Sequence, residues 1–205
     1  PKLGGRFSII GNVGLIPAAA MGLDVRAFRA GAAQSIAQHF SGDYANAPAA
    51  QGAALQMALR EKQVRQSVFM HYCDRLGGLA NWYRQCWAES LGKHDRATTP
   101  IRSRMATDQH SQLQLYMDGP KDKLFTLMLL DHRGKGDAID FEGNADPRLQ
   151  FLSGKTLGDL MVAEQRATVS SLVQRGCPVR CFTMPDMNEE VLGALIMHFA
   201  LEIMF

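Results

Sequence analysis

Glu89 is the residue whose type and place most need a chemical reason. It stands near the end of WYRQCWAESLGK, Trp82 to Lys93, a stretch that holds both tryptophans of the chain and closes on a Gly-Lys turn. The last turn of a helix carries negative partial charge on its free carbonyls and favours cations. A carboxylate there is either exposed and indifferent or held for chemistry. The other residues able to do chemistry narrow the field. Six histidines, His39, His71, His94, His110, His132 and His198, include no H-x-x-x-H or H-E-x-x-H pair, so no metal site is predicted. SGKT at 153–156 imitates the end of a phosphate-binding loop, but that motif needs a glycine at the position held by Leu149. The four cysteines, Cys73, Cys86, Cys177 and Cys181, have no zinc spacing. Cys177 and Cys181 bracket a strand-like segment that would hold them more than ~12 Å apart, too far for a disulfide. They are expected to be core or surface thiols.

The elements that position these residues read as α/β. With 205 residues, 46% of them hydrophobic, the chain can bury one sizeable core, and a single α/β unit over residues 1–205 is expected, entered through an approach segment over about 1–45. A net charge of +2 with dispersed basic residues predicts no nucleic-acid partner. Short apolar runs at 67–72, 123–131 and 178–184 alternate with helical patterns at 77–88, 110–119 and 156–176. Such alternation predicts a parallel sheet with helices on both faces, a Rossmann-like three-layer sandwich. Upstream, Asp24 is expected to cap a helix burying Val25, Phe28, Ala32, Ile36 and Phe40, with a further helix near 50–64. The last segment, opened by Asn188, runs apolar to Phe205, but His198 and Glu202 interrupt it, so no membrane span is predicted. The lack of an initiator Met and of a stop to this helix suggests a piece of a longer protein, and the cysteine usage suggests a cytoplasmic setting. In open parallel sheets the carboxyl ends of the strands are the usual place for a site, so the candidate motifs are expected in loops there.

Three segments, GGRFS at 4–8, WAESLGK at 87–93 and DQHSQLQLYMDGPKDKLFT at 108–126, occur in the order and rough spacing of the bacterial-type glucose-6-phosphate isomerases. With GNVGLIPAAAMGLD near the start and EQRATVSSLVQRGCPVRCFTMP near the end, the chain resembles that family over nearly its whole length. The resemblance implies the second of two sugar isomerase (SIS) domains from a longer two-domain enzyme that dimerises and has its sites near the subunit boundary. It implies interconversion of glucose 6-phosphate and fructose 6-phosphate, in glycolysis and gluconeogenesis, through a cis-enediolate, without metal or organic cofactor. Glu89 would be the base moving a proton between C2 and C1, and Arg6 the cation that stabilises the enediolate. His110 would carry the proton of sugar ring opening, because imidazole titrates near neutral pH. Gly5 would let substrate approach the backbone closely, and Gln109 would contact substrate hydroxyls.

The family pattern is incomplete here. The Ser/Thr-rich phosphate loop of its first domain and a lysine in a GVxxGK-like motif are absent, and His94-Asp95 replaces the Asp-Gly pair common after ESLGK. A non-catalytic sugar-phosphate-binding SIS module is the alternative reading, but such a module needs neither Glu89 nor Arg6 in its motif context.

Overall fold

The structure is a computed structural model and describes residues 3–141 and 146–205. Pro1 and Lys2, the start of the expected approach segment, lie outside the described residues. Four strands, β1 (Gln66–His71), β2 (Thr99–Arg104), β3 (Lys123–Leu130) and β4 (Val179–Met184), form an all-parallel sheet in the order β2-β1-β3-β4. Val68 at the centre of β1 is in register with Ile101 of β2 and Phe125 of β3. The three apolar runs became β1, β3 and β4 as predicted. β2 did not come from any predicted strand: TPIRSR contains a proline and two arginines and lies at the sheet edge, where one side makes no ladder and proline is tolerated.

Helices cover both faces, giving the three-layer α/β sandwich. Along β1, Phe69 faces a core shared with helix α4 (Gly77–Leu91) and helix α7 (Glu189–Met204), while Val68, Met70 and, just past the strand's end, Tyr72 face the layer of α5 (Thr107–Asp118) and α6 (Leu157–Gln174). That alternation is the two-residue period of a strand buried on both faces. The caps follow the sequence: Asp24 accepts from the amides of Arg26 and Ala27 at 3.0 and 2.9 Å to open α2 (Val25–His39), and Asn188 accepts from Val191 at 2.9 Å to open α7. Upstream of α2 lie a 3-10 helix, Gly5–Ile10, and the short α1 (Asn12–Ala20); the helix expected near 50–64 is α3 (Pro48–Glu61).

The buried face of α2 differs from expectation. Phe28 and Ala32 are buried, but Ile36 and Phe40 are exposed, and Gly31 and His39 take their place. Glycine sets this rotation. A Cβ on Gly31 would lie 1.8 Å from the carbonyl oxygen of Glu190, and one on Gly193 would lie 1.9 Å from that of Phe28. The backbones of α2 and α7 therefore touch at reciprocal glycines, and the side of α2 carrying Gly31 has to face α7.

Candidate active site

α4 carries the site. It leaves the carboxyl end of β1 and runs back along the sheet, so its last turn lies at the amino edge of the strands, about 18 Å from its start at roughly 1.5 Å per residue. Glu89 lies inside that turn, not in a loop after a strand as expected. GGRFS is likewise not an open loop, because Gly5 to Ile10 wind into the 3-10 helix that packs on α4. The candidate carboxylate Glu89 thus sits at the far end of the helix that follows β1, away from the carboxyl edge where the candidate motifs are expected.

The structure brings Arg6 and Glu89 together. Arg6 Nη1 lies 3.6 Å from Glu89 Oε2, with the two side chains 30% and 50% exposed. Each is also held by α4. Arg6 Nε donates to Ser90 Oγ at 2.8 Å, and Gln85 Nε2 donates to Glu89 Oε1 at 2.9 Å from one helical turn earlier. The Arg6 carbonyl accepts from Trp82 Nε1 at 2.8 Å and from Cys86 Sγ at 3.3 Å. Burial pushes the Cys86 thiol up to about 11, with Glu89 adding to and Arg6 opposing the shift, so the sulfur keeps the proton it donates. Trp87 is buried with its Nε1 donating to the Thr98 carbonyl, whereas Trp82 is half-buried and anchors Arg6. Gln85, Cys86 and Trp82 carried no family motif of their own. Their signal was the spacing: 82, 86 and 90 recur every four residues on one face of a helix, and 85 precedes 89 by the same step.

Gly5 is exposed beside Arg6, and a Cβ there would meet nothing within 4 Å. After Gly92 and the exposed Lys93, His94 and Asp95 have φ of 54° and 55°. Two side-chain-bearing residues thus occupy the left-handed region, where glycine is favoured.

Gln109 and His110 are elsewhere. α5 begins at Thr107, three residues before the predicted start, which puts both in its first turn at the carboxyl edge of the sheet. α5 also covers the opposite face from α4. His110 is exposed, and Gln109 Oε1 accepts from the Tyr72 hydroxyl at 3.5 Å. Within one chain, then, the sheet separates Gln109 and His110 from Arg6 and Glu89 in two directions. All four cysteines are free, with Cys177 buried and Cys181 exposed, as expected of core and surface thiols. Among the described residues no helix is long and apolar enough to cross a membrane.

Fold and site together define a parallel-sheet α/β protein that presents a carboxylate and a guanidinium side by side. The chain is 41% identical over 204 residues to a glucose-6-phosphate isomerase from Rubrobacter xylanophilus, a match covering 96% of this chain and 45% of that protein. A solved structure, a hypothetical protein from Thermus thermophilus, superposes with a TM-score of 0.89 at 32% identity over 98% of this chain and 49% of its own. A glucose-6-phosphate isomerase from Chlamydia trachomatis superposes with a TM-score of 0.71 at 18% identity, covering 98% of this chain and 42% of its own, and shows the same fold. No family model matches the chain. By sequence the chain is similar over nearly its whole length to proteins named glucose-6-phosphate isomerase, and it spans about half the length of these relatives.

Proposed function

We propose that this chain is the SIS-domain half of a cytoplasmic, homodimeric two-domain enzyme that interconverts glucose 6-phosphate and fructose 6-phosphate without metal or organic cofactor. The observation that carries this reading is the Arg6–Glu89 pair. A carboxylate 3.6 Å from a fixed guanidinium supplies a base beside the charge that the enediolate needs. Glu89 takes the proton from one sugar carbon and returns it to the next. Arg6 faces the two oxygens between which negative charge moves, which its planar donors suit. Gly5 leaves room for the sugar, and Gln109 contacts its hydroxyls.

The place of His110 gives the dimer a role. Held across the sheet from Glu89 in its own chain, His110 opens the sugar ring at the site of the partner subunit. A complementation experiment tests this. Full-length Glu89→Gln and His110→Ala variants, each of low activity on cyclic glucose 6-phosphate, are unfolded and refolded together. Hybrid dimers then contain one site with both groups intact, and activity is expected to return. Hybrids no more active than their parents would remove His110 from the shared site, and full-length wild type unable to isomerise glucose 6-phosphate would remove the reading as a whole. A chelator is expected to leave wild-type turnover unchanged.

A further inference from the structure

Arg6 is gripped along one stripe of α4. Trp82 and Cys86 bind its main-chain carbonyl, and Ser90, one more turn along, accepts from Nε at 2.8 Å. Residues at i, i+4 and i+8 lie one above another on a helix. The first two contacts fix where the Arg6 backbone sits but leave several side-chain torsions free. Ser90 removes that freedom at the tip. A guanidinium is planar, so fixing Nε fixes the directions of all its N–H groups. With Nε on Ser90, Nη1 faces Glu89 at 3.6 Å, and no hydrogen bond engages Nη2 among the described residues. The base and the electrophilic donors are thus set relative to each other by adjacent residues of one helical turn, Glu89 and Ser90.

We infer that Ser90 is a positioning residue: it sets the plane of the Arg6 guanidinium so that its donors meet the oxygen on which charge develops. The inference rests on the isomerase reading above. Ser90 touches no reacting atom, and its effect passes entirely through Arg6. Loss of the hydroxyl leaves Arg6 charged and nearby but free to rotate about its last torsions. The loss should appear in the transition state, where the donors are needed, and little in substrate binding.

The test uses the full-length protein. Ser90→Ala is expected to lower kcat by about 10- to 100-fold, the scale of a misplacement near 1 Å, with KM changed by less than about threefold. Ser90→Thr keeps the hydroxyl and is expected to recover most of the rate. In an Arg6→Gln background, Ser90→Ala is expected to add almost nothing, because a residue that acts through Arg6 has nothing left to position. Three outcomes overturn the inference: wild-type kcat in Ser90→Ala, the same loss in Ser90→Thr as in Ser90→Ala, or an undiminished further loss in the Arg6→Gln background. Each of these requires an active wild type, so it separates failure of the positioning role from failure of the isomerase reading, which an inactive wild type would signal.

Discussion

The molecule contains the same arrangement of side chains twice, once near the surface and once inside. In each an arginine Nε donates to a hydroxyl at 2.8 Å, Ser90 for Arg6 and Thr126 for Arg180. In each a glutamine amide donates to one carboxylate oxygen, Gln85 to Glu89 at 2.9 Å and Gln56 to Glu202 at 3.0 Å. The arginine Nη1 then faces the other oxygen. Here the two part: 3.6 Å for Arg6–Glu89, with half of the carboxylate side chain exposed, against 2.9 Å for Arg180–Glu202, with Glu202 fully enclosed. Water explains the difference. At the surface it competes for both ions and screens them, so the pair has little reason to close. Inside, an unpaired charge is so costly that the pair must close. One arrangement thus yields a water-accessible carboxylate at the amino edge of the sheet and a structural ion pair in the core.

The largest expected effect is on the open pair. Glu89→Gln in the full-length protein keeps the shape and the contact with Gln85 but cannot accept a proton. Turnover is expected to fall by about 10² to 10⁴ with substrate binding little changed. Exchange of the sugar's C2 proton with solvent should stop as well. Exchange at the wild-type rate would show that another group is the base and would leave the open pair without a function.

Next comes the closed pair. Arg180→Met removes the cation and leaves Glu202 buried without its partner, which should lower the folding free energy by about 3 to 5 kcal/mol, read from the denaturation midpoint. Glu202 also predicts a pH dependence. Burial alone would raise its carboxyl above the ordinary glutamate value of 4.5, but Arg180, His198 and Gln56 outweigh it and bring it to about 2. A depressed folded value means that this stability is fully present above the unfolded value and is lost as pH falls from about 4.5 to about 2. Glu202→Gln should lose the part of the acid slope in that window; an unchanged slope would show that other carboxylates account for it. A smaller effect is expected at Gly52, where a Cβ would lie 2.4 Å from Glu202 Oε2 and 2.9 Å from Arg180 Nη1. Gly52→Ala should destabilise by about 1 to 3 kcal/mol through overpacking, and a neutral result would mean that the pair yields more easily than its burial implies.

The two pairs were not equally legible in the sequence. Glu89 and Arg6 stood in motifs and could be named from the resemblance, and the apolar runs announced β1, β3 and β4. The closed pair carried no signal, because Glu202 read as an interruption of an apolar helix and Arg180 lay unremarked inside a predicted strand, and only the fold shows that they meet. β2 was missed because it is an edge strand with little apolar content, Ser103 alone of its six residues being buried, and it is defined by its ladder to β1. The amino-edge position of Glu89 was missed because periodicity gives a helix its length but not the edge of the sheet at which its end arrives. His110 could be named but not placed, since nothing local in DQHSQ says which face of the sheet α5 will cover.

The smallest expected effect is the most direct test of the contrast. If the open pair is kept for chemistry and not for stability, Arg6→Gln and Glu89→Gln, singly or together, should change the folding free energy by less than about 1 kcal/mol. The 3.6 Å separation is beyond hydrogen-bond range, and both side chains keep part of their hydration. Neither substitution leaves a buried charge behind, because the ion that remains, Arg6 at 30% or Glu89 at 50% side-chain exposure, is in contact with water. A double-mutant cycle across residues 6 and 89 should therefore give a coupling of at most about 1 kcal/mol. Raising the salt concentration to about 1 M shortens the screening length to roughly 3 Å and should remove most of that coupling. The same cycle across Arg180 and Glu202 should be several times larger and nearly indifferent to salt, because water and ions do not reach the enclosed carboxylate. A coupling of more than about 2 kcal/mol across residues 6 and 89 that survives high salt would make the surface pair a structural ion pair as well, and the difference in separation would then need a cause other than solvent.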